Sequence, residues 1–124
     1  MQVLLNTEPR TKDRPSLAAY LDGLSHEAFD HYGERIVRIE AHMSDANSPA
    51  KADTDDIHCT LEAQLAGLEP VVVKDRAATS KLAIHGAIGK LERAVTHAIG
   101  RHDQRGKQLS RADASVEAAN DLPD

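Results

Sequence analysis

A chain of 124 residues with 40% hydrophobic content can bury one core; two independent cores would leave each half too small to hold together. Its three aromatic side chains, Tyr20, Phe29 and Tyr32, argue against the stacking platforms that grip unpaired bases, so any nucleic-acid contact should run through phosphate and shape. The formal net charge is −5, the single Cys59 rules out an intrachain disulfide, and no apolar run approaches the ~18–20 residues that span a bilayer, so no membrane partner is expected.

The opening MQVLLNTEP has neither a basic n-region nor a long apolar run, which points to a cytoplasmic protein. Val3, Leu4 and Leu5 suggest a short buried strand, followed by a polar, turn-forming segment from Thr7 to Arg14. Pro15 suits the first turn of a helix. Leu17, Leu21, Leu24, Ala28 and Tyr32 then keep helical spacing until Gly33 ends the run. From Arg35 the period changes to two. Val37, Ile39, Ala41 and Met43 are expected to face a core, with Ile36, Arg38, Glu40 and His42 on the other side.

Asp45 to Asp56 mixes Asn, Ser, Pro, Lys and Asp without a period and reads as a mobile connection. Ile57, Cys59, Leu61, Ala63 and Leu65 alternate with polar residues as a third strand, which Ala66 and Gly67 turn. Val71 to Val73 returns as a fourth strand, with Pro70 marking its start or a sheet edge. Asp75 or Thr79 can cap a second helix. After Gly106 the sequence has too few large apolar residues to pack, so residues 1–105 are expected to form the domain and 106–124 a disordered tail. The expected architecture is an α+β two-layer sandwich of order β-α-β-β-β-α, with two helices on one face of a four-stranded sheet. If the first two strands are neighbours, they should be parallel through a right-handed crossover, and the rest can form an antiparallel meander.

Charge is distributed unevenly over this frame. Between Lys81 and Lys107 six Lys and Arg residues face two acids, a local net of +4 in a chain of net −5. Ile84, Ile88, Leu91, Val95 and Ile99 form a helical stripe for burial, while Lys90, Arg93, His97 and Arg101 fall on the roughly opposite face. Such a face suits an anionic partner. Gly86 and Gly89 in HGAIGK could suggest a phosphate-clamping loop, but the stripe stays in helical phase through them. Two helical glycines, each costing about 0.8–1 kcal/mol, imply that another backbone comes close.

The opening MQV, the segment CTLEAQLAGLEPVVV (Cys59 to Val73) and the segment AIHGAIGKLERAV (Ala83 to Val95) resemble the ribosome hibernation promoting factors. This family is also known as ribosome-associated translation inhibitors, ribosomal subunit interface proteins or sigma-factor modulation proteins, and the resemblance covers about residues 1–105. It implies a translation inhibitor that binds the small ribosomal subunit and its rRNA between head and body, where messenger and transfer RNA would sit, during stress or stationary phase. It implies no enzyme activity, cofactor or small-molecule substrate. The family's basic positions carry over onto Lys90 and Arg93 through the KLER run, and onto His97 and Arg101. Near the start of the second helix the family's acidic and tyrosine positions read here as Thr79, Lys81 and His85, which shifts positive charge onto that end and makes Lys81 a fifth expected RNA-binding residue.

The resemblance has two departures. Ser16 to Glu34 contains no Lys or Arg and four acids, Asp22, Glu27, Asp30 and Glu34, where the family usually carries basic residues on the first helix. The chain also ends before the dimerisation domain of the family's long form, so ribosome pairing by that route is not expected.

Other chemistry finds little support. His26/His31 and His97/His102 are five apart rather than four, and the adjacent His58 and Cys59 point to opposite sides of a strand, which disfavours a metal site. Cys59 falls on the core register, and no nucleotide loop or catalytic constellation stands out. Arg35, Arg38, Lys74 and Arg76 could widen an RNA surface. The competing reading is a diverged protein-interaction module of the same fold, its acidic first helix recruiting a basic protein.

Overall fold

A computed structural model describes residues 1–7, 13–45 and 57–114, with side chains described to residue 44 in the second strand and to residue 105 in the last helix. The elements are β1 (Gln2–Asn6), α1 (Arg14–Phe29), a 3-10 segment (Asp30–Arg35), β2 (Ile36–Asp45), β3 (Ile57–Leu65), β4 (Val71–Ala77) and α2 (Ser80–Ala114). The four strands form one sheet in the order β1-β2-β3-β4. β1 runs parallel to β2, as a strand returning through a helix must, and β2, β3 and β4 are antiparallel. The α+β order expected from the periodicities is therefore the one observed. Parts of the turn after Thr7, residues 46–56 of the expected connection and residues 115–124 of the expected tail lie outside the described residues; α2 itself runs through Gly106 to Ala114.

The core lies between the helices and one sheet face. Ile39, Ala41, Cys59, Leu61 and Ala63 from the central strands meet Leu21 and Phe29 of α1 and Ala83, Ile84, Ala87, Leu91 and Val95 of α2. β3 alternates buried and half-buried residues along nearly its whole length, as its period of two requires. Burial pushes the Cys59 thiol up to about 12, with a smaller contribution from the Asp75 carboxylate, its cross-strand partner. The thiol is a core filler.

Two local expectations are corrected. In β2, Ile36 is buried and Val37 is 49% exposed, the reverse of the expected register. A register shift between Ile36 and Arg38 against β3 inserts one residue, which swaps the faces before Arg38 and restores the alternation after it. In α1 the buried line is Leu17, Leu21, Ser25 and Phe29, each four residues after the last, with Leu24, Ala28 and Tyr32 half-buried at its margin. The α-helix ends at Phe29, and the tighter 3-10 segment carries Tyr32 to Gly33. Gly33 takes φ 59°, ψ −129°, a backbone that side chains disfavour, and so redirects the chain into β2.

Candidate nucleic-acid interface

α2 begins where Thr79 Oγ1 accepts a hydrogen bond from the Leu82 amide (3.2 Å), one of the two caps the sequence offered. From there Ala83, Ile84, Ala87, Ile88, Leu91, Val95 and Ile99 bury one face, and the helix passes unbroken through Gly86 and Gly89. The burial fixes the rotation of α2. Lys81, Lys90, Arg93, His97, Arg101 and Arg105 are consequently all exposed.

The five sequence-predicted positions are placed differently from one another. Arg93, His97 and Arg101 stand at successive four-residue steps and make one row, about 12 Å from first to last along the helix axis. None of the three is held in an ion pair among the described residues. Arg93 and His97, with Glu92 and Thr96, line a shallow hollow of about 380 Å³. Lys90, one turn earlier, leans instead toward β4. Its Nζ donates to the Lys74 carbonyl (3.0 Å) and to Asp75 Oδ1 (3.3 Å), while its side chain stays 47% exposed. Lys81 leans the opposite way, with Nζ 5.4 Å from the centre of the Tyr20 ring on α1.

Gly86 explains part of this arrangement. A Cβ there would collide with the Asp75 carboxylate, so the glycine leaves a notch in α2 that admits Asp75 and brings it within reach of Lys90. The sequence implied an approaching backbone; what approaches is a carboxylate from β4. Gly89 has no such neighbour, only the Arg93 guanidinium at 3.8 Å from an added Cβ.

The other flank of α2 faces α1 and the 3-10 segment. Tyr32 and Thr96 share a hydroxyl hydrogen bond of 2.7 Å, and Arg35 donates two hydrogen bonds to Asp103 (2.7 and 3.1 Å). This fork raises the Arg35 pKa from its ordinary value, chiefly through the hydrogen bond, and occupies a guanidinium that the sequence offered to RNA. Arg38 is likewise engaged, with Glu40 at 3.8 Å.

α1 presents the opposite sign. Asp22, Glu27, Asp30 and Glu34 are exposed on or just beyond it, and His26 sits between two of them, with Nδ1 2.8 Å from Asp30 and Nε2 3.4 Å from Asp22. Its pKa is raised, first by the hydrogen bond to Asp30 and then by the two charges.

Several solved structures share this architecture. The crystal structure of the Thermus thermophilus Protein Y N-terminal domain superposes with a TM-score of 0.61 at 16% identity, covering 78% of this chain and 98% of that one. The chain has the Protein Y N-terminal domain fold. A ribosomal subunit interface protein from Coxiella burnetii superposes with a TM-score of 0.56 at 14% identity, covering 93% of this chain and all of the other. Both neighbours come from the family that the Cys59 to Val73 and Ala83 to Val95 segments resemble. No protein-family model and no curated protein matches the sequence.

The sequence separated the acidic first helix from the basic second one. It could not show which cations were already engaged, because Lys90 with Asp75 and Arg35 with Asp103 are brought together only by the tertiary fold. Among the described residues no group of three or more His, Cys, Asp or Glu side chains could hold a metal ion, and no helix is long and apolar enough to cross a membrane.

Proposed function

We propose that this protein is a ribosome-binding translation inhibitor that docks α2 on the rRNA of the small subunit, in the groove that messenger and transfer RNA would occupy, when ribosomes idle under stress. The observation that carries this reading is the exposed row Arg93, His97 and Arg101, on a fold shared with a ribosomal subunit interface protein. Cations at helical spacing can meet phosphates of a folded RNA strand, and each such contact releases counterions. Arg93 and Arg101 can grip a phosphate through two donors each, and His97 adds an imidazole donor between them. Lys90 joins the surface while held against β4, and Lys81 adds a cation at the start of the helix, on the flank toward Tyr20 of α1. Inhibition is by occupancy, so no bond is made or broken.

The test is sedimentation of the purified protein with vacant small subunits through a sucrose cushion at low and moderate salt. Stoichiometric pelleting that weakens as salt rises is the expected result. No pelleting at low salt would reject the proposal, and recovery of a basic protein partner through α1 would favour the interaction-module reading.

A further inference from the structure

We infer that the RNA track does not stop at α2 but continues over the β4 edge of the sheet, where Lys74, Arg76 and His58 form a second phosphate-binding groove beside Lys90; this rests on the ribosome-binding reading above. β4 is an edge strand, and its side chains alternate: Val71, Val73 and Asp75 face the helices, whereas Val72, Lys74 and Arg76 are exposed on the open side. His58 is the cross-strand partner of Arg76 on β3 and lies on the same open face. These residues, with Asp75 and Lys90, line a groove of about 270 Å³.

Three observations point this groove at an anionic strand. First, it is continuous with the α2 row, because Lys90 Nζ touches the Lys74 carbonyl at 3.0 Å and no gap separates helix from strand. Second, its charge is largely unspent. Asp75 is opposed by Lys90, while neither Lys74 nor Arg76 is held in an ion pair among the described residues, so three cations against one carboxylate leave a net of +2. Third, the opposite flank of α2 repels such a partner, since α1 carries Asp22 and Glu27 and no Lys or Arg after Arg14, and Asp30 follows it at once. A strand laid along Arg101, His97 and Arg93 is therefore drawn toward β4 and away from α1. Among the described residues, the nearest opposing charge on the open face, Glu62, lies opposite Val72, one residue pair beyond Lys74 on the same face.

The binding constant for vacant small subunits, measured as a function of salt, tests this. Removing two phosphate contacts in a Lys74→Gln/Arg76→Gln variant should make the slope of log K against log salt shallower by about 1.4 and weaken binding roughly tenfold at low salt. Lys74 and Arg76 are exposed, so circular dichroism and melting temperature should not move. Arg14→Gln, at the start of α1, removes a positive charge away from the groove and should leave the slope unchanged. An unaltered slope and affinity in Lys74→Gln/Arg76→Gln, with wild-type binding intact, would overturn the inference and spare the proposed function. Absence of wild-type binding would overturn both.

Discussion

α1 and α2 cover the same face of one sheet and each buries one side against it, yet their outer surfaces carry opposite charge. α1 is studded with carboxylates and holds His26 between two of them; α2 presents Arg93, His97 and Arg101 unpaired among the described residues. Packing demands only the inner stripe of each helix, so the outer sides are free to diverge. In a protein whose fold alone does not fix a partner, the contrast between these surfaces is the most informative functional feature.

Reversing the charge of the row on α2 should have the largest effect. Arg93→Glu/Arg101→Glu should reduce affinity for small subunits on the order of 100-fold, since two charge-assisted contacts are lost, with the melting temperature unchanged; titration against labelled subunits checks this. The converse change acts on α1. Glu27→Lys/Glu34→Lys, at exposed positions of α1 and its 3-10 extension, should tighten the same binding by about tenfold at low salt, and an unchanged affinity would place α1 outside the field of the RNA.

Smaller effects concern how α2 is held. Gly100 has open space where a Cβ would go, so Gly100→Ala should stabilise the fold by up to about 1 kcal/mol through helix propensity. Gly86→Ala should forfeit that gain because it displaces Asp75 from its notch and loosens Lys90. Parallel chemical denaturation of the two variants decides whether the notch matters. Arg35→Gln, which removes the tie to Asp103, should lower the melting temperature only slightly, because exposed ion pairs contribute little.

The smallest effect is on α1. The raised pKa of His26 means that its contribution is full below the unfolded value near 6.5 and is lost as pH rises through the folded value. NMR titration should give a midpoint above 6.5 that falls back in Asp30→Asn.

How much of this was legible in the sequence depended on the distance over which each feature is determined. The alternation of β3 and the stripe of α2 are local periodicities, and both appear as read. The first residues of β2 were read in the wrong register, because the bulge between Ile36 and Arg38 is set by pairing with β3 and leaves no mark on the alternation. The α1 stripe was displaced because Ser25, a polar residue, occupies a fully buried place that hydrophobic spacing assigns to a neighbour. Exposure of Arg93, His97 and Arg101 followed from helical geometry alone. The diversion of Lys90 to β4 depends on residues fifteen and sixteen positions away, and that of Arg35 on one sixty-eight positions away.

The central claim is that α2, and not α1, meets the RNA. A photo-reactive amino acid placed at His97, and separately at Glu27, tests it on intact small subunits. The account predicts crosslinks to rRNA from position 97 that disappear at high salt, and none from position 27. Crosslinks from position 27 without any from position 97 would contradict it.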